Sequence, residues 1–138
     1  MSYLVETIEA KASKLLPRDK TVLVAVSGGL DSMALLHVLH QLSEKYNWLL
    51  IVAHFNHRLR GRASQADQQL VKKTAKQFGI QCINGYWEND SKSIKDNGPE
   101  MAARRARQHF LAESAKAHDC RIIVMAHHLN DQAETFLW

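Results

Sequence analysis

Apolar positions along this chain recur in two periods, and each change of period marks a new element. Val5, Ile8, Ala12 and Leu15 stand three or four apart, which predicts a helix over residues 2–16, ended by Pro17. Thr21 to Val26 is instead a nearly unbroken apolar run rich in valine, the pattern of a strand buried on both faces. Helical spacing returns over 32–45, with Met33, Leu36 and His40 on one side and Leu35, Leu39 and Leu42 beside it. Trp48 to Ala53 predicts a second buried strand, and His54 to Ala63 a polar, basic loop. A third helix is expected from Ser64, with Ser64 as N-cap and Asp67 as the acid three residues on. Its buried face would be Leu70, Val71, Thr74 and Phe78, and Gly79 stands where a C-terminal cap belongs.

Ile80 to Ile83 predicts a third strand. Residues 86–98 form a polar loop closed by Asn97-Gly98-Pro99, a turn that leaves proline in the first turn of the next helix. That helix, over 99–117, would face inward with Ala103, Ala106 and Phe110. Arg121 to Ala126 is the fourth strand, and Asp131 to Trp138 reads as the first turns of a last helix. No Gly or Pro stop follows, so the chain is expected to be cut short of its natural end. Helices and strands thus alternate throughout. Such alternation predicts an α/β fold, a doubly wound parallel sheet with helices on both faces and right-handed crossovers.

Composition removes several classes of protein. With 46% hydrophobic and 23% charged residues the chain is an ordinary soluble globular one, and its 138 residues suit a single domain. No apolar run nears the ~20 residues of a membrane span, and Met1 to Glu6 lacks the basic-then-apolar order of a secretory leader. A cytoplasmic protein without a membrane partner is expected. Cys82 and Cys120 form no CxxC pair, so zinc-ribbon, iron–sulfur and thioredoxin-like chemistry has no ligand set. The net charge of +4 is compatible with a nucleic-acid partner. The basic residues cluster as Arg58, Arg60 and Arg62 and as Arg104, Arg105 and Arg107.

The most informative string is Ser27-Gly28-Gly29-Leu30-Asp31-Ser32, between the first buried strand and a helix. In open α/β sheets ligands bind beyond the carboxyl ends of the strands. A helix start there offers unpaired N–H groups and the positive end of the helix dipole. Two glycines let backbone approach an anion closely, and Ser27 and Ser32 add hydroxyls. Such a site suits a polyphosphate. Neither GxxxxGK[ST] nor GxGxxG is present, so the kinase-type loop and the dinucleotide fold are not indicated. Near the end of the chain, His127 and Asp131 stand four apart after the fourth strand, where imidazole and carboxylate could orient a hydrated Mg²⁺.

Ser27 to Ser32 matches the SGGxDS signature of the PP-loop ATP pyrophosphatases, and the chain resembles that family from about residue 21 onward. Three further stretches resemble its tRNA(Ile)-lysidine synthetase branch. His54-Phe55-Asn56-His57-Arg58-Leu59-Arg60, with Ser64 and Asp67, resembles HxNHxLR…S…D. Asn97 to Arg107 is similar to nxExxARxxRy, with Glu100, Arg104, Arg107 and Leu111 on one helix face, and Ala126 to Thr135 to AHHxxDQxET. The resemblance implies an adenine-nucleotide α-hydrolase-like domain over 1–138, without the C-terminal tRNA-binding domains of that branch. It implies a ligase that uses ATP and Mg²⁺. The C2 oxygen of the wobble cytidine in tRNA(Ile) with a CAU anticodon would be adenylated, and free L-lysine would then displace AMP. Ser27, Gly28, Gly29, Leu30, Asp31 and Ser32 would hold ATP. Asp31, Arg104, His127 and Asp131 would be the essential side chains, His127 and Asp131 being the metal ligands. Another PP-loop tRNA-modifying enzyme, such as a thiolase, and a non-catalytic nucleotide-binding domain stay open as alternatives.

Overall fold

A computed structural model of the chain describes residues 2–57, 61–88, 95, 98–126 and 136–137, with backbone alone at 2–4, 136 and 137. The elements in chain order are α1 (Ser2–Leu15), β1 (Thr21–Ala25), α2 (Leu30–Tyr46), β2 (Leu49–Asn56), α3 (Arg62–Phe78), β3 (Gln81–Tyr86), α4 (Pro99–Ala117), β4 (Ile122–Met125) and β5 (Phe136–Leu137). They form an α/β fold with one sheet in the order β3-β2-β1-β4-β5. The first four strands are parallel.

Parallel strands need crossovers, and here the crossovers cover both faces. Side chains alternate along each strand, so successive residues serve different cores. Val22, Val24, Leu50, Val52, Ile122 and Val124 pack with α1, α2 and α3. Leu23, Ile51, Ala53 and Ile123 pack with Leu111 and Ala115 of α4. Val22, Leu23 and Val24 are wholly buried, which is why β1 is apolar without alternation. The chain winds outward from β1 to β2 and β3, then crosses back through α4 to β4 on the other side of β1. The strand order reverses between β1 and β4, the position beyond whose carboxyl ends open α/β sheets bind ligands.

Helix ends follow local rules in most places. Gly79 caps α3 in the left-handed conformation, its N–H donating to the Ala75 and Lys76 carbonyls. Asn47 ends α2 in the same way. Pro99 occupies the first turn of α4 after Gly98. Among the described residues no helix is long and apolar enough to cross a membrane.

Four expectations are corrected. First, β2 runs on to Asn56 and β3 to Tyr86, because Phe55 pairs with Gly85 and Asn56 with Tyr86. His54, expected in a loop, is therefore a strand residue and is buried. Second, α3 begins at Arg62 after Gly61, with no side-chain cap. Ser64 lies inside the helix and faces inward, so the capping box does not form. Third, the inner face of α3 is Ser64, Gln68, Val71, Thr74 and Ala75, while Leu70 is 45% exposed. Ser64 and Gln68 are there because the first half of α3 borders the crevice rather than an apolar core. Asn56 Nδ2 donates to Gln68 Oε1 (2.7 Å), and Gln68 Nε2 donates to Tyr86 Oη (2.6 Å). Fourth, Phe136–Leu137 is not helical. It adds a short antiparallel strand to the edge of β4, pairing Leu137 with Ile122 and Phe136 with Ile123, and so gives ladder partners to an edge the parallel winding leaves open. The rest of the expected last helix, residues 131–135 and 138, lies outside the described residues.

Candidate functional site

The loop between β1 and α2 is held by its own serines. Ser32 Oγ accepts the Ser27 N–H (3.1 Å) and the Gly28 N–H (3.2 Å) and donates to the Gly29 carbonyl (3.1 Å). Ser27 Oγ accepts the Gly29 N–H (3.2 Å) and lies 3.0 Å from Ser32 Oγ. Ser32 is buried, so this knot is fixed. Gly28 takes φ +91°, and a Cβ there would come within 2.6 Å of Asp67 Cβ and 3.0 Å of Asp67 Cα. Glycine is thus required twice, by conformation and by the close pass of α3. Gly28 lies behind the loop, with Ser27, Gly29, Asp31 and Ser32 on the open side.

The glycine amides, expected to face a phosphate, are already bonded to the serine hydroxyls. The N–H groups of Leu30, Asp31 and Ser32 in the first turn of α2 are the ones without an intrahelical acceptor, and no side chain caps them. With the helix dipole they form an anion-binding end. Leu30 is 87% exposed, so its side chain packs against nothing in the loop. Asp31 places a carboxylate in the same turn.

A cleft of about 360 Å³ opens beside this loop, within the size range of small-ligand sites. One part is apolar and is walled by Ala25, Ala53, Phe55, Leu111 and Met125. Phe55 is backed by the Phe110 ring, 5.6 Å away between centroids, and Phe110 in turn presses on Gly85, where a Cβ would come within 2.5 Å of the ring. The other part is polar, with Ser27, Asp31, Ser32, His54, Ser64 and Asp67. The apolar part thus lies beside a helix start that can bind an anion.

Arg107 reaches the cleft from α4. Burial, and then the neighbouring Arg104, push its guanidinium below the usual arginine range, and its Nε is buried with no hydrogen-bond partner. A half-buried cation with an unmet donor is a ready partner for an anion. Arg104, one turn earlier, is exposed. It borders a separate shallow depression with Gly98, Pro99, Glu100 and Met101. Among the described residues no ion pair joins Glu100 to Arg104. The expected face of α4 therefore runs from buried Leu111 through Arg107 out to Arg104 and Glu100, and among the described arginines Arg107 is the one that lines the cleft.

His54 is 2% exposed. Its Nδ1 lies 2.7 Å from the Val26 carbonyl, while its Nε2 is buried without a partner. Burial lowers its pKa, against the opposing pull of the Val26 carbonyl and the Asp67 charge. His127 and Asp131, the expected metal ligands, lie outside the described residues, as do Arg58 and Arg60. Among the described residues no group of three or more His, Cys, Asp or Glu could by itself hold a metal ion. Sequence reasoning singled out Arg104 ahead of Arg107 and gave His54 no specific partner. The signal for Arg107 was present in its spacing of four from buried Leu111.

A parallel sheet with its phosphate-type loop at the switch point defines a nucleotide-binding α/β domain. Residues 4–138 match the family model described as a PP-loop domain, and the chain belongs to that family. It is 36% identical over 135 residues to a tRNA(Ile)-lysidine synthase of Clostridium acetobutylicum, covering 97% of this chain and 29% of that protein. It is 40% identical over 118 residues to the tRNA(Ile)-lysidine synthase of Enterococcus faecalis, covering 86% and 25%. For that of Geobacter sulfurreducens the values are 38% over 141 residues, 96% and 28%. The chain thus spans 25% to 29% of these relatives' lengths. Among solved structures, the U34-tRNA thiolase NcsA from Methanococcus maripaludis superposes with a TM-score of 0.77 at 16% identity, covering 91% of this chain and 45% of that one. That likeness is one of fold.

Proposed function

We propose that this chain is the ATP-binding catalytic domain of a tRNA(Ile)-lysidine synthase. The observation that carries the reading is the serine-laced loop at the carboxyl end of β1, with unpaired first-turn amides beside an apolar slot. ATP would lie with its base in the slot and its phosphates on the first turn of α2. The names of the relatives, which match most of this chain at 36% to 40% identity, support the choice within the family.

The reaction proposed has two steps. The C2 oxygen of the wobble cytidine in a CAU-anticodon tRNA(Ile) attacks the α-phosphorus, and pyrophosphate leaves. The neutral ε-amine of free lysine then attacks C2, and AMP leaves with the C2 oxygen. The first step builds charge on the leaving phosphates, and stabilising it is the main demand on the protein. The first-turn N–H groups and Arg107 would meet that demand, with Arg104 toward the outer rim. A carboxylate inside an anion-binding turn would repel the triphosphate unless a cation lay between them, so Asp31 fits a site that takes ATP with Mg²⁺. Asp31, together with Asp131 and His127, would hold the ion, which would neutralise phosphate charge. tRNA and free lysine meet in the cytoplasm, where the protein would work.

The test is tRNA-dependent formation of AMP and pyrophosphate from Mg·ATP. Binding of ATP and its turnover only with unmodified isoleucine tRNA is the expected result. ATP turnover that is indifferent to that tRNA, or that requires a sulfur donor, would contradict the reading.

A further inference from the structure

β1 ends at Ala25, the last residue it pairs with β2 and β4. Val26 is still tied to β2, because its N–H donates to the Ala53 carbonyl (3.0 Å). The peptide group that follows, from Val26 to Ser27, is where the phosphate loop starts. Two side chains hold it at opposite ends. His54 Nδ1 lies 2.7 Å from the Val26 carbonyl, and a carbonyl only accepts, so Nδ1 carries the hydrogen and donates it. Ser32 Oγ accepts the Ser27 N–H (3.1 Å). A peptide group is planar, so its C=O and N–H turn together. Loss of the bond at the carbonyl frees the plane to turn, and any turn takes the Ser27 N–H off Ser32. Ser32 Oγ also accepts the Gly28 N–H and donates to the Gly29 carbonyl. The start of α2 is thus tied to the orientation of this one plane.

The pleat of β2 puts His54 on the face of Leu50 and Val52, opposite the slot walls Ala53 and Phe55. The ring is buried there, and burying a polar group is unfavourable unless it is bonded. Its Nε2 has no hydrogen-bond partner among the described residues, so the ring's bond is the one to Val26. That bond falls on the first peptide of the loop and not on the core around it.

We propose that His54 is a positioning residue for ATP: through the Val26 carbonyl its Nδ1–H fixes the peptide on which the phosphate loop starts, and so sets the first turn of α2 where the triphosphate rests. The inference rests on the ATP-binding reading above. His54 acts from behind the loop and need not touch the nucleotide. Groups that bind phosphate work when side chains behind them lock their geometry.

The experiment uses the gene product that carries this domain, unchanged and as His54→Leu, His54→Asn and His54→Gln. It measures binding of Mg·ATP and hydrogen exchange of the amides of residues 27–32, with β2 and β4 as references. Asparagine carries an N–H donor at the place of Nδ1, and glutamine carries it one bond further out, at the place of Nε2. Folded His54→Leu and His54→Gln are expected to bind ATP about tenfold or more weakly. Their loop amides should exchange about tenfold faster while β2 and β4 keep their protection. His54→Asn should stay within about threefold of the unchanged protein in both. An imidazole that only fills the core would lower stability in all three variants and leave the ATP affinity of the folded protein alone. If His54→Leu does not fold, the contrast between His54→Asn and His54→Gln decides. Undiminished ATP affinity in folded His54→Leu, His54→Asn no better than His54→Gln, or exchange that quickens equally in β2 and β4 overturns the inference. In each of those cases the unchanged protein still binds ATP and the nucleotide-site reading stands. Failure of the unchanged protein to bind ATP at all removes that reading and the inference with it.

Discussion

Replacing Gly28 by alanine probes the phosphate loop where it is most constrained. The backbone there has φ +91°, a conformation that costs a residue with a Cβ about 1–2 kcal/mol. The new methyl group would also lie 2.6 Å from Asp67 Cβ and 3.0 Å from Asp67 Cα. The second of these is backbone, so no side-chain rotation relieves it, and α3 or the loop must shift. Overpacking of this kind costs about 1–3 kcal/mol. Together the two effects amount to about 2–5 kcal/mol. At roughly 4 °C per kcal/mol for a domain of this size, Gly28→Ala should lower the melting temperature by roughly 8–20 °C. Gly98→Ala is the control, because Gly98 has φ +84° but nothing within 4 Å of its Cβ position. It should lose only the conformational part, about 1–2 kcal/mol. Thermal unfolding of both variants, followed by ATP titration of the folded fraction, makes the comparison. Equal losses in the two variants would refute the claim that the close pass of α3 shapes the loop.

Ser32→Ala removes the acceptor for the Ser27 and Gly28 amides, and should cost about 1–3 kcal/mol of stability and weaken ATP binding; wild-type values for both would show that the serine knot is incidental. Arg107→Leu should weaken ATP binding about 10- to 100-fold, the worth of a hydrogen bond to a charged group, measured by calorimetric titration, and unchanged affinity would remove Arg107 from the site. His54 has a folded-state pKa below its unfolded value, so the unfolded chain binds more protons between the two. Its effect on stability is therefore nil above the unfolded pKa, and stability falls as the pH drops through that value toward the folded one. Denaturant unfolding from pH 8 to pH 5 should show this loss in the unchanged protein, and His54→Phe should lack that component. Asp31→Ala should abolish adenylation while leaving the fold intact, since Asp31 is exposed and holds no core contact. ATP–pyrophosphate exchange retained in the folded variant would count against Asp31.

The alternation of strands and helices was legible because β1, β4 and the first part of β2 are apolar without alternation, and Val22, Leu23 and Val24 carry that signal without ambiguity. The phosphate loop was legible because its glycines and serines stand directly at a strand–helix junction. Boundaries near the cleft were not. The polar residues His54, Asn56 and Ser64 look like loop or cap residues in sequence. In three dimensions they are strand and helix residues whose polar groups serve a site, so the usual link between polarity and exposure fails there. The choice between Arg104 and Arg107 depended on how far along α4 the cleft extends, which only the packing of Leu111 and Phe110 fixes. Phe136–Leu137 pairs with β4, the strand before it, and no local propensity of two residues reports such a partner. Nor does sequence give the state of His54 Nε2, because that follows from a carbonyl 28 residues away.

The most direct measurement of the central claim is incorporation of labelled lysine into unmodified isoleucine tRNA bearing a CAU anticodon, with ATP and Mg²⁺, by the gene product that carries this domain. Incorporation that requires ATP and disappears in Asp31→Ala is the expected result. A folded, ATP-binding protein that transfers no lysine to that tRNA would contradict the lysidine assignment and leave only a PP-loop nucleotide-binding domain.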